Sequence, residues 1–145
     1  MCKFIGYNLI VVPIGFVVNI ALFGYGTDII TTAVAITGTV TLVMMLLGTM
    51  FPAFFSRIGR ALGITLLITI IVELVSMFFI PAFNGIFIDY LVVFLFCGYI
   101  GFDWGRANMQ SKTVDNAVDS AAEIYLDIIN LFLRILSILG RSNRR

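Results

Sequence analysis

Five long apolar segments, separated by short stretches with turn residues or charges, constrain the fold of this chain most strongly. They cover about residues 4–23, 28–50, 62–79, 86–109 and 116–140. Each has roughly the 17 to 25 residues that an α-helix needs to cross the hydrocarbon core of a bilayer. The pattern therefore predicts an all-α, polytopic transmembrane bundle that forms a single domain over residues 1–145.

The composition favours the same class of protein. The chain is 61% hydrophobic and 12% charged, whereas roughly a quarter of the residues in soluble domains are charged. Its net charge of +1 offers no basic surface for nucleic acid. Cys2 and Cys97 show neither the spacing of a zinc site nor that of a disulfide framework. We expect an integral membrane protein that contacts the lipid bilayer, binds no nucleic acid and carries no cofactor.

The fifth segment combines apolar bulk with a polar stripe. At about 100° per residue, its polar side chains fall on one side of a helix. They are Asn116, Asp119, Ser120, Glu123, Asp127, Asn130, Arg134 and Ser137. Such a helix is expected to need lipid or protein around most of its surface and polar partners along one line.

The distribution of Lys and Arg predicts the orientation of the bundle. One side would hold Lys3, Arg57, Arg60, Arg106 and Lys112. The connection between the third and fourth segments, on the other side, has no Lys or Arg, so the first side is expected to be cytoplasmic. The arginines that end the chain break this pattern if the fifth helix crosses fully, and the sequence leaves open whether it crosses or enters and returns.

Ionisable residues at membrane depth indicate where function lies, because they are costly in lipid and generally face the bundle interior or a water-filled cavity. The candidates are Glu73, Asp103, Glu123 and Asp127, with Arg134 as the cation of the fifth helix. Counted from the polar linker at about 1.5 Å per residue, Asp103 lies about 10 Å deep and the acids of the fifth helix about 10 to 17 Å deep. Asp103 could therefore meet either Glu123 or Asp127.

Two carboxyl groups in one low-dielectric site cannot both ionise cheaply, so they are expected to titrate as a coupled unit and to act as a proton switch. Their oxygens, together with Asn130, could also hold a hard cation such as Ca²⁺ or line its path. The alternative is that Glu123 or Asp127 pairs with Arg134, or hydrogen-bonds within the bundle, and only fixes packing. Glu73 has no assigned role, although it could pair with Arg134.

Three stretches of the chain carry a family resemblance. They read TAVAITGTVTLVMMLLGTMFPAFFSRIGRAL, GYIGFDWGRA and AAEIYLDIINLFLRILSILGR. The last is similar to the closing helix of the Bax inhibitor family, the transmembrane Bax inhibitor motif proteins, which has the form LYLDxINLFLxLLxxLG. The other two resemble the family's fourth helix and its sixth-helix motif. The likeness is greatest to bacterial members, which implies a multi-pass protein of the bacterial inner (plasma) membrane.

The resemblance implies a pH-sensitive calcium leak, in which one aspartate from each of the last two helices forms a hydrogen-bonded pair that gates a pore. These aspartates correspond to Asp103 and Asp127, and the rest of the polar stripe would support them. Family members have about seven helices, so the first two helices, and the early arginine that latches the closed state, have no counterpart here. Trp104 and Gly105 stand where the family often has Thr-Gln.

The shorter chain should leave part of the polar stripe uncovered. We expect self-association or another membrane subunit to cover it, unless the chain is a fragment of a longer protein. A non-conducting subunit that binds a partner through small-residue helix faces is therefore the alternative to a leak. An intramembrane aspartyl protease of the presenilin type needs Gly-x-Gly-Asp, but Tyr125 and Leu126 precede Asp127, so no enzyme is expected.

Overall fold

The computed structural model describes residues 1–79 and 85–144. Over these residues the chain forms five α-helices and no strand. They are α1 (Cys2–Leu22), α2 (Thr27–Met50), α3 (Pro52–Phe79), α4 (Ile86–Met109) and α5 (Val114–Asn143). The predicted all-α bundle of about five helices is confirmed.

The third helix is longer than the sequence analysis predicted. It begins at Pro52, before the predicted start near Leu62. Proline suits the first position of a helix, where its missing N–H leaves no intrahelical bond unmade. The added turns are held by packing, since Phe55 is buried and its ring lies where a side chain on Gly101 of α4 would stand.

Four of the helices, α1 to α4, are long and apolar enough to cross a membrane, with mean hydropathies of 1.8 to 2.4 over their most apolar windows. α1 has no buried residue, and α3 exposes a series of large apolar side chains. Apolar surface of this kind is as compatible with lipid tails as with other side chains. The architecture is that of an integral membrane protein.

α5 runs from one end of the bundle to the other. It has 30 residues, which corresponds to about 45 Å at 1.5 Å per residue. Near its beginning, Asp119 pairs with Lys3 at the start of α1, at 2.7 Å. Near its end, Gly140 lies against the ring of Tyr25, in the turn after α1. We call the end of the bundle that holds the connection 110–113 the linker end, and the opposite end the carboxy-terminal end.

The core is built mainly on α4 and α5. Ile100 of α4 and Leu131 of α5 are fully buried, and Leu136 is 1% exposed. α4 packs against α2, α3 and α5, whereas α1 packs chiefly against α5. α4 is therefore the central helix, and the buried core lies mainly between it and α5.

Glycines bring α2 and α4 into backbone contact. A Cβ added to Gly48 would lie 2.5 Å from the carbonyl oxygen of Gly101, and one added to Gly105 would lie 3.1 Å from the carbonyl oxygen of Gly48. Small residues allow this close approach in membrane helix pairs. Because Asp103 lies between Gly101 and Gly105, this contact also fixes the position of its carboxyl group.

Candidate functional site

A cavity of about 530 Å³ opens between α3 and α5, with α4 as its floor. All the site residues predicted from the sequence line it. They are Glu73 of α3, Asp103 of α4, and Glu123, Asp127, Asn130 and Arg134 of α5. The cavity exists because α3 and α5 both pack on α4 but make little contact with each other among the described residues.

Asp103 and Asp127 are the most buried of the ionisable residues that line the cavity. Their side chains are neighbours within hydrogen-bonding reach, and the two residues are 7% and 6% exposed. Among the described residues, no N–H or O–H group donates to Asp127 Oδ2. Two ionised carboxylates are acceptors only, so a proton on one of them would supply the missing donor. Of the two acids that the sequence left open, Asp127 is the one that lies beside Asp103.

Arg106 closes the linker end of the site. Its guanidinium pairs with Glu123 and lies 3.8 Å from Asp103 Oδ1. It also lies over the ring of Phe102, 5.6 Å from the ring centre. Arg106 was predicted only as one of the charges that orient the bundle, although its position three residues after Asp103 puts both on one helix face. Glu123 is therefore bound to α4 and does not pair with Arg134.

Arg134 lies toward the carboxy-terminal end of the cavity. It pairs with Glu73 of α3 and, at 3.0 Å, with Asp89 of α4. The second oxygen of Asp89 lies 2.9 Å from Arg141. The pairing of Glu73 with Arg134 was open in the sequence analysis, whereas Asp89 and Arg141 were missed. The signal for Arg141 was its seven-residue spacing from Arg134, which puts both on one face of α5.

The remaining stripe residues are divided among several partners. The Asn130 amide donates to the Leu126 carbonyl, at 2.8 Å, within its own helix. Ser120 lies 3.4 Å from Gln110 of the linker. Within residues 1–79 and 85–144, no group of three or more His, Cys, Asp or Glu side chains is arranged to hold a metal ion. We assign no metal ligand.

A match to a known protein family identifies the relatives of this chain. Residues 3–144 match the family described as inhibitor of apoptosis-promoting Bax1. The chain belongs to the Bax inhibitor family. The resemblance seen in the closing helix is thereby confirmed, and together with the four apolar helices it identifies an integral membrane protein of that family.

The relatives include eukaryotic and bacterial proteins. The chain is similar to Bax inhibitor 1 of Schizosaccharomyces pombe, with 39% identity over 90 residues, which are 59% of this chain and 32% of that protein. It is similar to the uncharacterized protein YrjE of Lactococcus lactis, with 28% identity over 143 residues, 94% of this chain and 60% of that protein.

A third relative is an uncharacterized membrane protein of Vibrio cholerae, 30% identical over 118 residues, which are 81% of this chain and 52% of that protein. The chain thus spans 32% to 60% of the length of these three relatives. No solved structure gives a significant match.

Proposed function

We propose that this protein takes part in a proton-controlled cation leak, with Ca²⁺ as the ion and with Asp103 and Asp127 as the gate. The observation that carries this proposal is the pair of adjacent, buried carboxyl groups in the wall of the cavity. Ionisable groups at membrane depth mark ion pathways and proton relays.

The gate works through the number of protons on the pair. With one proton, a charge-assisted hydrogen bond joins Asp103 of α4 to Asp127 of α5. Loss of that proton leaves two repelling carboxylates, and gain of a second proton removes the charge that strengthens the bond. Either change relaxes the contact between α4 and α5 beside the cavity and alters access to it.

The charges around the cavity favour a cation. At the linker end, three carboxyl groups, those of Asp103, Glu123 and Asp127, face one guanidinium, that of Arg106. One shared proton leaves this cluster with a net negative charge. Carboxylate oxygens are the ligands that Ca²⁺ prefers, so they would line its path.

Calcium flux into liposomes tests the proposal. The purified protein is reconstituted, and Ca²⁺ entry is followed across a range of pH for the wild type and for Asp103→Asn and Asp127→Asn. We expect a pH-dependent leak in the wild type that either substitution flattens. Asp115→Asn is the matched control, since Asp115 is an exposed aspartate of the same helix that does not line the cavity.

Two outcomes would count against the gate. Equal flattening by Asp115→Asn would attribute the pH response to general surface charge. A wild type that leaks at no pH would reject the leak as an activity of this chain by itself.

A non-conducting role in a larger membrane assembly is the second candidate. The cavity opens between α3 and α5, which make few contacts with each other among the described residues. A second copy or another membrane subunit would then cover the polar groups of α5. Light scattering of the detergent-solubilised protein distinguishes the cases, because a strict monomer contradicts self-association.

The bacterial relatives support a bacterial inner membrane as the location, with the linker end toward the cytoplasm.

A further inference from the structure

Four charged side chains form a network at the carboxy-terminal end of the cavity. Asp89 of α4 is 3% exposed and has an arginine at each oxygen: Arg134 at 3.0 Å and Arg141 at 2.9 Å. Arg134 also pairs with Glu73 of α3. We call Glu73, Asp89, Arg134 and Arg141 the arginine network. Its two acids and two arginines balance, so it carries no net charge.

The network lies between two cavities. Glu73 and Arg134 line the 530 Å³ cavity that contains the aspartate pair. The same two residues, with Asp89 and Arg141, line a second cavity of about 270 Å³ that reaches Gly85 at the start of α4. The ion pair of Glu73 with Arg134 is therefore part of the wall that separates the two spaces.

The network also joins α3 to α5 where little else does. The two helices pack on α4 from different sides and make few contacts with each other among the described residues. On the α4 side, Arg134 is held by Asp89, which a second arginine fixes in place. On the α3 side it is held by Glu73, whose side chain is 30% exposed. The contact with α3 is the one that can open while the others remain.

We propose that the Glu73–Arg134 ion pair is a second gate, which closes the cavity of the aspartate pair toward the carboxy-terminal end of the bundle. As a gate for Ca²⁺ it rests on the proposed function, whereas as a barrier to water and small ions it does not. When closed, it brings α3 and α5 together and places two paired side chains across the path, where they obstruct water and small ions. Movement of α3 away from Arg134 joins the two cavities.

Cysteine accessibility tests the barrier without relying on calcium flux. Cys2 and Cys97 are replaced by serine, and Thr69→Cys supplies a single buried thiol that lines the larger cavity and not the smaller one. Membrane-impermeant thiol reagents, one cationic and one anionic, are applied to vesicles from the carboxy-terminal side. With the network intact, the reaction from that side should be slow. With Glu73→Gln added, it should accelerate about tenfold or more, which corresponds to about 1.4 kcal/mol in the barrier.

Charge distinguishes an opened gate from a loosened protein. Glu73→Gln leaves the network with a net positive charge, so it should speed the anionic reagent more than the cationic one. Arg134→Gln breaks the same ion pair but leaves a net negative charge, so it should do the reverse. Lys3→Gln, which breaks an exposed ion pair at the linker end, should change neither rate.

The outcomes separate the gate from the leak. Fast modification from the carboxy-terminal side with the network intact overturns the gate, and so does an equal gain for both reagents in both variants. If the rates change as expected while no calcium flux is found at any pH, the barrier is supported and the calcium leak is rejected. If the leak responds to pH through the aspartate pair but the accessibility stays constant, the second gate is wrong and the leak stands.

Discussion

The two ends of the cavity along α5 surround their ionisable side chains in opposite ways. Asp127 faces Asp103, a group of the same charge type, and the nearest guanidinium of Arg106 is engaged by Glu123. Arg134, two turns further along the same face, has carboxylates from two other helices. The first arrangement needs a proton to be stable, whereas the second is neutral without one.

This difference assigns different physical roles to the two ends. A pair of carboxyl groups changes its interaction energy when a proton enters or leaves, so it can respond to pH. A balanced set of arginines and carboxylates keeps its charges and acts through position, because removing one member leaves an unbalanced charge among the others. The comparison predicts that substitutions at the two ends affect different measurements.

The largest expected effect is on stability at the network end. Asp89→Asn removes the carboxylate that two arginines share, so it should lower the free energy of unfolding by about 3 kcal/mol, because two hydrogen bonds between charged groups are lost. Asp103→Asn keeps a hydrogen-bond donor beside Asp127 and should change the stability by less than about 1 kcal/mol. Thermal unfolding in detergent measures both. A larger loss for Asp103→Asn than for Asp89→Asn would reverse the roles given to the two ends.

A smaller effect is expected from the helix contact that positions the aspartate pair. Gly48→Ala places a methyl group 2.5 Å from the Gly101 carbonyl oxygen, which is backbone and cannot rotate away, so the cost should be about 1–3 kcal/mol. Gly38→Ala is the matched control in the same helix, because nothing lies within 4 Å of its added Cβ.

Gly48→Ala should affect the aspartate-pair end of the cavity and not the arginine-network end. A shift of α4 near Gly101 moves Asp103 relative to Asp127, so Gly48→Ala should alter the pH profile of calcium flux. Accessibility from the carboxy-terminal side should stay as in the parent protein, because the arginine network is far along α4. A changed accessibility with an unchanged pH profile would contradict this separation.

Part of this arrangement could be predicted from sequence because ionisable residues stand out in apolar segments. Glu73, Asp103, Asp127 and Arg134 each interrupt a membrane-length run, and a charge in that position needs a polar partner or water. The choice between Glu123 and Asp127 as the neighbour of Asp103 could not be made from residue spacing. It depends on how α5 is rotated against α4, which packing of residues such as Ile100 and Leu131 determines.

The features that the sequence did not predict, the ion pair of Asp89 with Arg141 and the early start of α3, share a physical cause. Asp89 and Arg141 lie near helix ends, where a charged residue ordinarily faces water, and only the packing of α4 against α5 buries Asp89. Pro52 and the arginines that follow it look like a surface turn. Their helix is continued by the packing of Phe55 on Gly101, a tertiary contact that helix propensity does not report. Local sequence predicted the helices, but long-range packing selected the partners.

The smallest expected effect concerns a third site on the stripe, where an ion pair is exposed. Lys3 and Asp119 approach to 2.7 Å, but their side chains are 47% and 52% exposed. Water already solvates both groups, so Lys3→Gln should lower the stability only slightly, and the loss should shrink as salt is added. Unfolding at low and high salt checks this against Asp89→Asn, whose loss should persist in salt because the carboxylate is buried. If Lys3→Gln lowers the stability as much as Asp89→Asn does, then burial does not determine the strength of these ion pairs, and the arginine network is not what holds α5 in place.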